Sequence, residues 1–155
     1  MTVNTGRTLP RWTKFLLSDG TGMRELGVNS INGVALTSDE VDVHAYMDQV
    51  KGALPDTPSC KISISGPFDT TALGSHVVLN ALNGLTVPRS LDVQVGIRQA
   101  WVSGEPQFGI TATATSGFCV SSYTPDLNTG TFTATLYMLS GSSAPEWNTT
   151  AEAVS

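Results

Sequence analysis

Glu40, Asp42 and His44 stand two residues apart in a strictly alternating run, Glu40-Val41-Asp42-Val43-His44-Ala45-Tyr46. On an extended backbone every second side chain shares a face, so the run sets two carboxylates and an imidazole side by side. Such donors can hold a divalent metal or exchange a proton near neutral pH. The wet side of any half-buried strand gives the same spacing, and no second His/Cys/Asp cluster stands at metal-ligand spacing. Ser75 and His76 supply a hydroxyl and a base, but adjacency in sequence lacks the convergence that nucleophilic catalysis needs. Gly20-Thr21-Gly22 sits in neither of the glycine patterns that cradle phosphates. Trp12, Trp101 and Trp147 are scattered and suit anchoring in a core or interface better than stacking on bases. The chemistry-bearing residues thus predict no enzyme, no metal and no cofactor. Their polar face is read as a surface.

The elements that position them are mostly strands. Lys14–Ser18 and Met23–Val28 flank Asp19-Gly20-Thr21-Gly22, which predicts a hairpin. In Glu40–Tyr46 the apolar face is Val41, Val43 and Ala45; in 59–65 it is Cys60, Ile62 and Ile64, opposite Lys61, Ser63 and Ser65. Leu91, Val93, Val95 and Ile97 line a long strand expected to run to Trp101 and turn back at 103–106 into Phe108–Thr115. A last hairpin joins Phe118–Tyr123 to Thr131–Leu139, with Phe132, Ala134, Leu136 and Met138 facing one way and Thr131, Thr133 and Thr135 the other. Val77, Val78, Ala81, Leu82 and Leu85 instead follow helical spacing, which predicts one short helix over 75–83 with Ser75 as N-cap and Asn83-Gly84 as stop. Two stretches lack any period. One is the loop Met47, Asp48, Gln49, Val50, Lys51, Gly52, Ala53, Leu54, Pro55, Asp56, Thr57, Pro58, too long for a hairpin turn. The other, 140–155, reads as a flexible tail. The predicted fold is mainly β, an antiparallel sandwich or barrel with one flanking helix, a long inter-strand loop and flexible termini. Its expected divisions are an arm over 1–13, the sandwich over 14–139 and a tail over 140–155.

Composition narrows the function. Only 14% of the 155 residues are charged, against roughly 25% in ordinary globular domains; 20 Thr, 16 Ser and 15 Gly fill the gap. Charge keeps surfaces apart, so this surface suits heavy contact with copies of itself, although a monomer with solvated Thr-rich faces has the same composition. Net charge is −5, yet residues 1–14 hold Arg7, Arg11 and Lys14 and no acid. The acidic remainder is a poor nucleic-acid binder, because such binding depends on Lys and Arg at phosphates. No signal peptide is expected from Phe15-Leu16-Leu17, and no apolar run approaches the ~20 residues of a membrane helix. Cys60 and Cys119 lie inside strand-like runs and read as buried free thiols.

The order of elements resembles the major tail tube proteins of long-tailed bacteriophages. The likeness runs from about residue 14 to 147 through Val28–Leu36, the acidic strand Glu40–Tyr46, the polar loop, Cys60-Lys-Ile-Ser-Ile-Ser-Gly66-Pro67-Phe68-Asp69, the helix from Ser75, Gly104-Glu-Pro-Gln-Phe-Gly109 and Pro145-Glu-Trp147. It implies six-fold rings stacked into a hollow tube that carries DNA from capsid to cell, within a virion tail assembled in the host cytoplasm. The expected partners are copies of this chain, other tail proteins and DNA passing without specific binding. The loop Met47–Pro58 would join subunits and rings. Glu40, Asp42 and His44 would share an inner sheet with Lys61, Ser63 and Ser65 and face the lumen. The alternatives are another phage structural protein, such as a decoration protein or tail terminator, and a monomeric β-sandwich binding module.

Overall fold

The computed structural model describes residues 8–43, 45, 49–50, 52–55, 57–97, 100–139 and 143–154. Two antiparallel sheets pack face to face as a β-sandwich. The first takes β1 (Thr13–Ser18), β2 (Met23–Leu26), β7 (Leu91–Val95), β8 (Gln107–Ile110) and β11 (Glu146–Asn148) in the order β11-β8-β7-β1-β2. The second takes β3 (Ser30–Asn32), β6 (Lys61–Pro67), β9 (Gly117–Asp126) and β10 (Thr131–Leu139) in the order β3-β6-β10-β9. Alternation explains the layering. Phe15, Leu17, Leu91, Val93 and Phe108 from one sheet and Ile62, Ile64, Phe132, Ala134 and Leu136 from the other form one buried cluster.

The hairpins stand where expected. β1 and β2 close over Asp19–Gly22, and β9 and β10 run in register from Thr131 opposite Asp126 to Leu139 opposite Gly117, with a bulge at Thr135/Leu136. Both cysteines are buried free thiols. The helix α1 (Ser75–Leu82) packs Val78, Leu79 and Leu82 into the core. Its N-cap is Gly74, so Ser75 is the first helical residue instead of the cap. Leu85 is 45% exposed, because the chain leaves the helix at Asn83 and turns at Gly84, whose φ is +78°.

Three strand expectations are corrected. β7 stops at Val95; the pairing with β1 ends with Gly96 N–H donating to the carbonyl of Trp12 at 3.1 Å, and Ile97 N–H meets the Glu105 carboxylate instead of a neighbouring strand, so the chain has left the sheet before Trp101. The stretch 146–148, expected as tail, is the edge strand β11 paired with β8. The run Glu40–Tyr46 yields a strand of three residues, β4 (Glu40–Asp42), which joins neither main sheet. Among the described residues its ladder is with β5 (Ala53–Pro55), inside the stretch expected as irregular loop.

Candidate assembly surfaces

β4 and β5 form a two-stranded ribbon that pairs with neither sheet. Its root is the pairing of Thr37 with Ser59, each N–H donating to the other's carbonyl at 2.8 Å, next to Gly33. Gly33 has a φ of +84°, and a Cβ there would fall 2.2 Å from the Lys61 carbonyl, so only glycine lets the chain turn this tightly at the end of β3, against β6. Beyond the root Glu40, Val41 and Asp42 pair with Pro55, Leu54 and Ala53, and Val43 N–H donates to the Gly52 carbonyl at 3.0 Å. Every residue of both strands is exposed. Val41, expected to be buried with Val43 and Ala45, is 46% exposed, and Val43 and Ala45 are exposed too, because no second layer lies over them among the described residues.

This geometry divides the residues first grouped as a lumen face. Glu40 and Asp42 stand on the ribbon, whereas Lys61, Ser63 and Ser65 stand on β6, so they do not share a sheet. His44 lies outside the described residues, as do Met47, Asp48, Lys51 and Asp56 of the expected assembly loop. Gln49 and Val50 are exposed at a bend, Ala53, Leu54 and Pro55 are β5, and Thr57 and Pro58 line a hollow of about 410 Å³ with Leu36, Cys60 and Met138.

The outer face of the four-stranded sheet is built of small hydroxyls. Register aligns Asn32, Ser63, Thr135 and Ser122 in one row across the sheet, and Ser30, Ser65, Thr133 and Thr124 in the next. Neither row contains a charge. Lys61 beside Tyr137, and Asp126 beside Thr131, stand at opposite ends of the lattice. The sequence signal for this face was already present in the alternating Thr131, Thr133 and Thr135. Ser122 and Thr124 were missed because the bulge after Thr135 shifts β9 against β10.

The remaining polar groups are structural. Ser75 Oγ is buried without a hydrogen-bond partner, while His76 Nδ1 and the Tyr123 hydroxyl share a hydrogen bond of 2.9 Å, so the two neighbours do not converge. At the β1–β2 turn Asp19 Oδ1 accepts from Thr21 N–H at 2.9 Å and Gly22 N–H at 2.9 Å, and Oδ2 accepts from Arg24 Nε at 2.8 Å. Burial works against the charged form, but the Arg24 guanidinium and these donors outweigh it and hold the Asp19 carboxyl well below the usual range. Among the described residues no three His, Cys, Asp or Glu side chains gather as metal ligands.

The molecule is therefore a two-sheet β-sandwich with one helix, a projecting ribbon and a neutral hydroxyl face, and solved structures share this fold. The tube-terminating cap of the anti-feeding prophage aligns over 97% of both chains with a TM-score of 0.63 at 13% identity. The sheath/tube terminator of the extracellular contractile injection system PVC, in its extended state, aligns over 87% of this chain and 93% of its own with a TM-score of 0.59 at 13% identity. A chain of the PVC sheath–tube complex aligns over 92% of both with a TM-score of 0.58 at 12% identity. No protein-family model and no curated protein matches the sequence. The sandwich expected from the likeness to long-tailed phage tube proteins is present; of these three structures, two come from a contractile injection system and two sit at a terminating position.

Proposed function

We propose that this chain is a structural subunit of a phage-tail-like tube assembly and that it closes the end of the tube as a terminator. The observation that carries this reading is the likeness to the tube-terminating cap over 97% of both chains, which extends over nearly the whole molecule. The chain's own chemistry supports a life in contact with copies of itself and other tail proteins. It has 14% charged residues and a ribbon whose apolar side chains are exposed, with no cover among the described residues. We assign the ribbon, including Glu40 and Asp42, to subunit contacts. The Ser63 and Ser65 face, with Lys61 at its end, becomes the wall of the passage, where two uncharged rows let a polyanion slide with little pull from phosphate–lysine contacts. The particle is a virion or tail-like body put together in the host cytoplasm.

A repeating ring along the tube is the second reading, favoured by the match to the sheath–tube complex. Electron microscopy of the concentrated pure protein separates the two. A terminator gives single rings or short stacks that stop growing. Open-ended tubes would make the chain a repeating ring, and monomers persisting at high concentration would sink both.

A further inference from the structure

Residues 149–154 pass over the outer face of the five-stranded sheet, and two polar side chains are sealed beneath this strap. Asp92 is 1% and Gln107 0% exposed. Asp92 lies opposite Gly109 and Gln107 opposite Gln94, so the two are diagonal neighbours on one face, within reach of each other's side chains. Asp92 Oδ2 accepts from Gln94 Nε2 at 3.1 Å and from the backbone N–H of Glu152 at 3.3 Å. The Glu152 side chain ties the strap down: Oε1 accepts from Gln107 Nε2 at 3.0 Å and Asn148 Nδ2 at 3.2 Å, and Oε2 from the Thr111 hydroxyl at 2.6 Å. Ala153 N–H donates to Thr111 Oγ1 at 3.0 Å, and Gln107 Nε2 also meets Asn148 Oδ1.

Two buried oxygens remain without a hydrogen-bond partner here, Asp92 Oδ1 and Gln107 Oε1. Both accept; neither donates while Asp92 is ionised. An orphaned buried acceptor carries its full desolvation cost, and here it lies beside a second carboxylate. A proton on Asp92 turns Oδ1 into a donor, and Gln107 Oε1 at the diagonal position is an acceptor in need of one, while Oδ2 keeps its two donors. The other charged groups on this face do not offer a substitute. Lys14 on β1, diagonal to Asp92 across Leu16, pairs with Glu25 of β2 at 3.8 Å, and Glu146 on β11 is an exposed acid. Burial above all, and secondarily the negative Glu152, push the Asp92 carboxyl up, against the hydrogen bonds from Gln94 and the Glu152 N–H.

We propose that Asp92 and Glu152 form a proton-operated latch on the C-terminal strap: protonated Asp92 holds the strap against the sheet, and two charged carboxylates loosen it. The sign follows from the direction of the change. A group raised in the folded state stabilises fully below the ordinary carboxylate range, and that stabilisation is lost as pH rises through the folded value. Acidification from neutrality therefore tightens the strap. Loosening uncovers Gln107 and frees β11, the edge strand of the same segment, for exchange with another molecule.

Hydrogen exchange on the full chain, corrected for the intrinsic pH dependence of amide exchange, reads the latch at the Glu152 and Ala153 amides. Asp92→Asn keeps the shape, supplies the donor permanently and removes the charge. It should slow exchange there about tenfold at pH 7, the scale on which one buried hydrogen bond gained favours the closed strap. The wild-type chain should gain protection as pH falls from 7 and approach the same level only in the ordinary carboxylate range, and Asp92→Asn should lose the pH response. Glu152→Gln, which removes the lesser of the two causes, should weaken the wild-type response without abolishing it. Wild-type protection that does not change with pH would overturn the latch, as would Asp92→Asn exchanging as fast as wild type or faster. Protection raised at pH 7 by millimolar calcium and not by acid would overturn it in favour of a cation site. Should Asp92→Asn fail to fold, the wild-type pH series and Glu152→Gln decide alone.

Discussion

The ribbon and the strand β6 are written in the same code and end in opposite environments. Val41 alternates with Glu40 and Asp42 as Ile62 alternates with Lys61 and Ser63. Ile62 is 0% exposed and Val41 46%. The alternation fixes which side chains share a face; it does not say what lies opposite. β6 lies between β3 and β10 and turns its apolar face to the five-stranded sheet, whereas β4 has only β5 beside it among the described residues. A two-stranded ribbon is at best marginal alone in water. Under the proposed assembly role, the apolar stripe on this ribbon is covered by a neighbouring subunit.

The comparison breaks first, and hardest, in the core. Phe132 on β10 is fully buried and packs against Tyr123 with ring centroids 5.7 Å apart. Phe132→Ala should cost about 3–5 kcal/mol, since the cavity adds to the lost transfer energy. Leu82 on the helix is 6% exposed, and Leu82→Ala should cost about 2–4 kcal/mol through the same cavity term. Urea titration at constant slope measures both. Losses below about 1 kcal/mol would mean that the two-layer packing is wrong.

These two sites also show what the sequence made legible. Phe132 and Ile62 lie in runs long enough for a period of two to repeat, and Val78 and Leu82 in one long enough for a period of 3.6. Leu85 continues the helical spacing on paper, but Asn83 and Gly84 end the helix, so the pattern outlasts the element. β11 is three residues long, too short for any period, and exists because β8 offers an edge more than thirty residues away in sequence. Burial of Asp92 and Gln107 was invisible for the same reason: their cover is Glu152 on the strap. The likeness to tube proteins implied one inner sheet for Glu40 and Lys61, whereas the chain turns at Gly33 and carries the ribbon out of the sheet that holds β6.

A smaller effect is expected at the β1–β2 turn, where a carboxylate is held charged instead of pushed towards neutrality. Asp19→Ala removes the acceptor for Thr21, Gly22 and Arg24 and should cost about 1–2 kcal/mol at neutral pH, in the range of a charge-assisted hydrogen bond discounted for partial exposure. The sign is opposite to that of Asp92. Asp19 is lowered in the folded state, so its contribution is complete above the ordinary carboxylate value near 3.9 and disappears as pH falls through the folded value. The gap in urea midpoint between wild type and Asp19→Ala should therefore hold from pH 7 down to about 4 and narrow only in stronger acid. A gap that closes already between pH 7 and 5 would show that Asp19 is not the group responsible.

The smallest effect on folding belongs to the ribbon, and it sharpens the comparison most. Val41 and Leu54 are register partners, both exposed, at 46% and 59%. Replacing both with Ser removes apolar surface that is largely exposed, so folding stability should shift by no more than about 0.5 kcal/mol, as exposed substitutions usually do. Assembly should respond in the opposite proportion. If the stripe docks on a neighbouring copy, two truncated side chains at each contact are repeated at every interface of the ring. Light scattering and electron microscopy should then find folded subunits that no longer form rings at concentrations where wild type does. A stability loss near that of Phe132→Ala would mean the ribbon folds back as part of the core. Unchanged stability with unchanged rings would take the ribbon out of the interface, leaving the hydroxyl face and the free sheet edges to hold the assembly together.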